Sequence, residues 1–284
     1  MELHSLNHYA YKHNYLVNFS MTLSALIFNF SKAQNRKLSG GITCRGLRIQ
    51  EVSMAGKAKE LIITGDVNIT LKVLELTTSG APKLNMMMKY TEQNIANKLK
   101  GETMDYGLVL SDYDTKANKF NKNIPAIYNV RYKINYLVRL EQVKTLSQLS
   151  NNDFVLAIVD RIGLKTDKYA TGGLTAHGDV PATVTYNEWC KYPNIATHEF
   201  FHTLGLPDLS GKSNSNNLMF EIASKTNNLV SNKELANMNA YLMEDVVSIS
   251  EGNYSNQSFN TVKKLRNFLN NPTNGFKYNK AKFR

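Results

Sequence analysis

Alternation of apolar and polar residues dominates the first half of the chain. Residues 60–76 alternate between aliphatic and polar side chains on both sides of Gly65 and Asp66. A period of two is typical of a half-buried strand, and a Gly-Asp pair is a turn signal, so this segment predicts a β-hairpin that turns at residues 65–66. Further apolar runs predict strands, at 106–110, 126–143 and 154–159. The last run, FVLAIV, is apolar throughout, which is typical of a strand buried on both faces.

Helical spacing of apolar residues appears in three other segments. Met87, Tyr90, Ile95 and Leu99 lie on one face of a helix predicted over 86–99, which Gly101 closes. Two more helices are predicted near the C-terminus, at 233–247 and 262–269. Between them and the strands, the glycine-rich segment 171–185 predicts an irregular edge strand followed by a second strand. The order of strands, a helix, further strands and then helices predicts an α+β or α/β-like domain with a mixed sheet.

The composition and net charge of the chain exclude some classes of protein. The 284 residues are 42% hydrophobic, which is enough for a sizeable core and excludes a wholly disordered chain. The net charge is +11, so a nucleic-acid or anionic-surface binding module is one alternative. No RNA-recognition or zinc-finger spacing accompanies that charge, and we expect no nucleic-acid partner. Cys44 and Cys190 exclude a disulfide-dense scaffold and leave open one disulfide bond or two buried thiols.

The N-terminal segment has features of a secretory signal. An apolar run at 15–30 follows Lys12 and His13, and small residues follow at 31–34. Polar residues interrupt the run, so a start at Met21 or an ordinary buried element stays an alternative. We expect export, and no other run is long enough for an integral membrane segment. The predicted organisation is a targeting segment at 1–34, a strand-rich extension or pro-region at 35–85, a catalytic domain at 86–250 and a basic C-terminal helix and tail at 251–284.

The segment 197–208, THEFFHTLGLPD, carries the candidate chemistry. His198 and His202 are four residues apart, so on a helix they project from one face and can bind one zinc ion. Glu199 follows the first histidine and can reach a water on the metal without being a ligand. Zinc lowers the pKa of its bound water towards about 7, and a nearby carboxylate can accept the proton as that water attacks a carbonyl. The pattern predicts metal-assisted hydrolysis.

A third protein ligand is needed to complete such a site. Gly205 can end the helix in a left-handed conformation, and Pro207 prevents its continuation. Asp208 follows directly, and its carboxylate oxygen is a legitimate zinc ligand. We therefore prefer Asp208 as the third ligand. Glu221 and Glu234 remain alternatives, since either would suit a site whose third ligand is a glutamate on a helix.

The segment HEFFHTLGLPD resembles the metzincin zinc-peptidase motif HExxHxxGxxH/D, in the aspartate variant of snapalysin-like enzymes. The resemblance implies a twisted mixed sheet, an active-site helix and C-terminal helices. It also implies that Met219, in Asn-Leu-Met-Phe, is the methionine of a Met-turn beneath the metal. The irregular strand at 172–179 resembles the edge strand along which the family binds peptide. Glu221 stands where some metzincins have a transition-state tyrosine, which leaves the oxyanion stabiliser unidentified.

These expectations combine into one functional hypothesis. A secreted, monomeric zinc metalloendopeptidase would hydrolyse protein or peptide substrates through a zinc-bound water activated by Glu199. His198, His202 and Asp208 would bind Zn²⁺. A catalytically inactive pseudo-peptidase that binds peptide strands is an alternative, as is the basic binding module. Cys44 could cap the zinc as a latency thiol, although a disulfide bond to Cys190 or a plain buried thiol is the simpler interpretation.

Overall fold

The strands of the described residues form one mixed eight-stranded sheet. A computed structural model of the chain describes residues 36–37, 42–52, 59–114, 119–151, 153–163, 171–175, 181–239 and 260–283. The strands in these ranges are β1 Arg36–Lys37, β2 Ile42–Val52, β3 Lys59–Glu75, β4 Thr103–Asp114, β5 Lys119–Val143, β6 Phe154–Val159, β7 Gly173–Thr175 and β8 Ala182–Thr185. Strands β1, β2, β3, β6, β8 and β7 follow one another across the sheet, and β5 pairs with β3 and β4. The predicted α+β class with a mixed sheet is confirmed.

The predicted hairpin at 60–76 is wrong, because β3 is one continuous strand. It pairs antiparallel with β2 and, along 59–74, parallel with β5. Gly65 and Asp66 lie in register opposite Ile134 and Asn135, and the Asn135 amide donates to the Asp66 carboxylate at 3.1 Å. The odd-numbered residues stay on one buried face on both sides of Gly65. The alternation of buried and less buried residues thus continues past Gly65 without a shift. Pairing with neighbouring strands on both sides overrides the local turn signal.

Helices form at the three segments with helical apolar spacing, as far as residue 239 for the second of them, and at the histidine motif, while the short helix at 186–191 was not predicted. They are α1 Leu84–Lys98, α2 Tyr186–Lys191, α3 Ile195–Thr203, α4 at 232–239, where the described range stops, and α5 Thr261–Asn270. Met87 and Ile95 of α1 are buried, whereas Tyr90 is 42% exposed and does not belong to the buried stripe. Gly101 has φ of 108°, which suits the predicted helix-closing glycine.

Each face of the sheet carries its own hydrophobic cluster. Strand β6 is buried at every position and supplies Phe154, Leu156 and Ile158 to the cluster shared with α1 and α3. The residues between them, Val155, Ala157 and Val159, belong to a second cluster, which also contains Leu265 and Leu269 of α5. The prediction that FVLAIV is buried on both faces is confirmed. As a result, α3 and the C-terminal helix pack on opposite faces of the sheet.

Several predictions lie outside the described residues or stay predictions. The apolar segment 15–30 lies outside them, and the four domain boundaries stay predictions. Cys190 is a free, partly buried thiol, so the alternative of a Cys44–Cys190 disulfide is not formed. Within the ranges given above, no helix has the length and apolar character that a membrane span requires.

Candidate metal centre

Helix α3 presents both histidines of the motif on one side. His198 and His202 lie one turn apart with their Nε2 atoms at 2.9 Å. Phe200, on the opposite side of the helix, and Phe201, on its flank, are fully buried in the core. This packing fixes the rotation of the helix about its axis and therefore the direction in which the two imidazoles point.

The end of α3 brings Asp208 back to the histidines. Gly205 has φ of 84°, its N–H donates to the His202 carbonyl at 3.0 Å, and the Leu206 N–H donates to the Phe201 carbonyl at 3.1 Å. These two bonds form a Schellman motif, which needs a left-handed residue at Gly205. After this turn, Asp208 Oδ1 lies 3.3 Å from the Nε2 atoms of both histidines. The three predicted ligands are therefore brought together.

The rival third ligands lie elsewhere. In the part of the chain that the structure describes, the group of side chains able to hold a metal ion is His198, His202 and Asp208, with ligand atoms within 4.8 Å of one another. Glu221 is exposed and not part of the group. The Glu234 carboxylate accepts hydrogen bonds from the Asn217 amide at 3.0 Å and from the Ser231 N–H at 2.7 Å. It therefore serves the N-terminus of α4 and the loop before it.

Hydrogen bonds to the backbone fix the histidine tautomers. His198 Nδ1 lies 2.7 Å from the Leu218 carbonyl oxygen, and His202 Nδ1 lies 2.6 Å from the Leu206 carbonyl oxygen. A carbonyl only accepts, so both Nδ1 atoms carry the proton. The neutral rings then direct their Nε2 lone pairs at each other and at the Asp208 carboxylate. Such an arrangement repels itself unless a cation or a proton lies between the groups.

The spacing of these donors fits a zinc ion. In a tetrahedral site with zinc–ligand bonds of about 2.0–2.1 Å, neighbouring donor atoms are about 3.3 Å apart. Both nitrogen–oxygen separations here are 3.3 Å, and the nitrogen–nitrogen separation is slightly shorter at 2.9 Å. Two imidazoles and a carboxylate also match the ligand types of zinc. Three protein ligands leave the fourth position open, as catalytic zinc sites do.

The electrostatics of the site favour positive charge. When their Nε2 atoms are protonated, His198 and His202 donate hydrogen bonds to Asp208 and hold its pKa well below its ordinary value, although partial burial opposes this. Burial would lower the pKa of His198, but the Asp208 contact, the Glu199 charge and the Leu218 carbonyl together raise it. Burial raises the pKa of Glu199, against the opposing influence of both histidines. The lowered pKa keeps Asp208 ionised at neutral pH, so its carboxylate attracts a cation to the space between it and the two histidines.

Glu199 lies beside the three predicted ligands and contacts the edge strand. It is 5% exposed, and its Oε2 lies 2.5 Å from the Thr175 hydroxyl on β7. A Cβ added at Gly173 would overlap the Glu199 carboxylate. Sequence reasoning missed Thr175 and Gly173 as neighbours of Glu199, because no spacing rule relates residues about 25 positions apart. The predicted edge strand at 172–179 is β7, antiparallel to β8, and residues 176–180 lie outside the described ranges.

Met219 is fully buried and tied to its own loop. Its N–H donates to Asn217 Oδ1 at 2.7 Å, and its carbonyl accepts from the Leu209 N–H at 2.7 Å. The preceding residue, Leu218, supplies the carbonyl that orients His198. Asn217 thus stabilises the predicted Met-turn, a role that sequence reasoning missed.

Comparisons with known proteins add little to this geometry. No protein-family model and no curated protein sequence matches the chain. A solved structure that matches is archaemetzincin from Methanopyrus kandleri, with 12% identity and a TM-score of 0.37. The match covers 62% of this chain and 96% of that chain. Similarity at this level decides neither the family nor the activity.

Proposed function

We propose that the chain is a zinc-dependent metallopeptidase of the metzincin type, in its aspartate variant. The observation that carries the proposal is the convergence of His198 Nε2, His202 Nε2 and Asp208 Oδ1, with Glu199 held beside them. These three side chains would hold the zinc, and Met219 would be the buried residue of the Met-turn. When bound there, zinc would supply Lewis-acid polarisation of a substrate carbonyl and of a water.

The role of Glu199 follows from its position and surroundings. Its carboxylate is buried next to the two histidines and is not one of the three converging ligands. In the proposed reaction it accepts a proton from the attacking water, whose oxygen bonds to the peptide carbonyl carbon. It then gives that proton to the leaving amine as the carbon–nitrogen bond breaks. The raised pKa of Glu199 that burial causes suits a group that alternates between base and acid.

Strand β7 offers a docking edge for an extended peptide. The Gly172 carbonyl accepts from the Thr185 N–H at 2.9 Å, so residues 172 and 174 direct their backbone groups towards β8. The backbone groups of Gly173 and Thr175 consequently face away from β8. No strand among the described residues pairs on that side of β7. A substrate peptide added there would pass beside Glu199, with main-chain hydrogen bonds providing affinity.

The test combines metal analysis with hydrolysis of an unfolded protein such as casein. We expect the wild type to bind about one zinc and to hydrolyse the substrate. Glu199→Gln and Glu199→Ala should keep the zinc and lose activity, whereas Asp208→Ala should lose much of both. Bound metal with no turnover, unchanged in Glu199→Ala, would instead favour the pseudo-peptidase. Full metal content and rate in Asp208→Ala would contradict the assignment of the third ligand.

Two further features belong to this proposal. Export of the protein is inferred from the apolar segment at 15–30. A protein or peptide substrate is inferred from the docking edge of β7, and the monomeric state stays a prediction.

A further inference from the structure

The hydroxyl of Thr175 makes a hydrogen bond that the chemistry above does not require. Thr175 Oγ1 lies 2.5 Å from Glu199 Oε2 and 3.1 Å from the Glu199 backbone oxygen. A hydroxyl has a single proton, and the shorter contact directs that proton to the carboxylate. Hydrogen bonds to an ionised carboxylate are short and stronger than neutral ones. One oxygen of Glu199 is thus held by the edge strand.

Gly173 restricts the same carboxylate from a second position. A side chain at Gly173 would occupy the place of Glu199 Oε1 and its neighbouring carbons, so the strand approaches closely only because this residue lacks a Cβ. Residues 173 and 175 of a strand face the same side, which explains why both meet Glu199. Leu174, on the other side, packs against the second hydrophobic cluster.

We propose that Thr175 is a positioning residue for Glu199, holding one carboxylate oxygen so that the other is aligned to accept a proton from the attacking water. This inference rests on the proposed function, because it assigns Thr175 a role through the general base. A glutamate side chain has three rotatable bonds, and this one is restrained by one hydroxyl and one close backbone contact. Misplacement of a catalytic group by about 1 Å can reduce a rate by about 100-fold.

The position of Thr175 also connects base alignment to peptide docking. Its side chain faces Glu199, while its backbone belongs to the docking edge of β7. Any displacement of β7 as a peptide adds to it would therefore move the hydroxyl that holds Glu199.

The experiment compares Thr175→Val, which removes the hydroxyl at nearly constant volume, with Thr175→Ser, which retains it. We expect Thr175→Val to keep its zinc and to lose about 10- to 100-fold in kcat, with KM changed less than about twofold. Thr175→Ser should recover most of the kcat. The matched control is Thr183→Val, since the Thr183 hydroxyl donates to the Leu174 carbonyl on the same strand pair. That variant should lose stability and leave kcat within about twofold.

A second readout is independent of turnover. A double-mutant cycle of Thr175→Val and Glu199→Gln, measured by chemical unfolding of metal-free protein at pH 7, reports the coupling between the two side chains. We expect coupling of about tenfold in the unfolding equilibrium constant, which equals about 1.4 kcal/mol. Thr183→Val with Glu199→Gln should be additive.

The outcomes separate this inference from the proposed function. An active wild type with an unchanged kcat in Thr175→Val, or additive unfolding energies in the cycle, would overturn the role of Thr175 alone. A zinc-loaded wild type without activity would overturn the proposed function and the role of Thr175 with it. Loss of kcat in Thr175→Val, recovery in Thr175→Ser and coupling in the cycle would support both.

Discussion

His198 donates a hydrogen bond from Nδ1 to the carbonyl oxygen of Leu218 at 2.7 Å. The two residues are twenty positions apart, and the bond sets the direction of the lone pair on His198 Nε2. Since Leu218 directly precedes Met219, the loop that carries the buried methionine also orients a predicted metal ligand. The Leu218 N–H donates to the Leu229 carbonyl at 2.7 Å, which anchors the same residue through its preceding peptide group.

Asn217→Ala should weaken zinc binding. Asn217 accepts from the Met219 N–H and donates to Glu234, so its loss releases the segment that holds the Leu218 carbonyl. Groups that orient metal ligands typically contribute 10- to 100-fold in metal affinity, and we expect a loss in that range. Competition with a chromophoric zinc chelator measures it.

Asn214→Ala is the matched control in the same loop. Its amide donates to the Ser210 carbonyl at 2.7 Å and does not contact the segment 217–219 through its side chain in any described hydrogen bond. Equal zinc affinities for Asn217→Ala and the wild type would contradict the supporting role of Asn217.

Zinc should stabilise the folded protein through Asp208. Unfolding separates the three converging donor atoms, so zinc should bind the folded state and not the unfolded one. Free zinc at about 100-fold above its dissociation constant then adds about 2.7 kcal/mol to the free energy of unfolding. Thermal unfolding with zinc and with a chelator measures the shift. Asp208→Asn should lose most of it, whereas the control Asp66→Asn, at a site on β3, should retain it. An equal shift in both variants would argue against Asp208 as a ligand.

Gly173→Ala should reduce activity more than stability. The added methyl group overlaps the Glu199 carboxylate, so either the side chain or β7 must move. We expect a loss of at least about tenfold in kcat/KM with zinc still bound, because the proposed metal ligands do not contact Gly173 in any described interaction. Steady-state kinetics and metal analysis of one preparation test this, and a wild-type rate would show that the carboxylate moves without consequence.

Acidification should remove the contribution of Glu75 to stability. Burial would raise the pKa of Glu75, but hydrogen bonds from Lys282 at 2.5 Å and from Thr77 lower it below its ordinary value. A group with a lowered pKa in the folded state stabilises at pH values above its unfolded pKa and loses that contribution as the pH falls through the folded pKa. The pair is partly exposed, so we expect at most about 1 kcal/mol at pH 7.

The measurement is urea unfolding of metal-free wild type and Lys282→Met from pH 7 to pH 2. The difference in their free energies of unfolding should shrink as the pH falls below the ordinary pKa of glutamate. Lys280→Met, at an exposed neighbouring lysine, controls for the change in net charge. A difference that is independent of pH would show that Lys282 acts through its aliphatic packing and not through the ion pair.

Several elements were predictable because their signals are local. The spacing of Met87 and Ile95 predicts α1, and the uniform apolar run of β6 predicts a strand buried on both faces. The prediction of a hairpin was wrong because Gly65 is a local turn signal, whereas the continuity of β3 depends on partner strands such as β5 that are distant in sequence. The same limit applies to Thr175, which is 24 residues from Glu199.

By itself the sequence determined the pair of histidines, the glutamate beside the first of them and the turn after the helix. A helix repeats every 3.6 residues, and Gly205 ends this one in a left-handed conformation that turns the chain back towards the histidines. Only the tertiary structure showed that Asp208, and neither Glu221 nor Glu234, lies beside the two histidines, and only it showed what holds Glu199 and His198 in place. Those contacts join side chains to strands and loops far away in the chain, and their geometry depends on how the sheet and helices pack together.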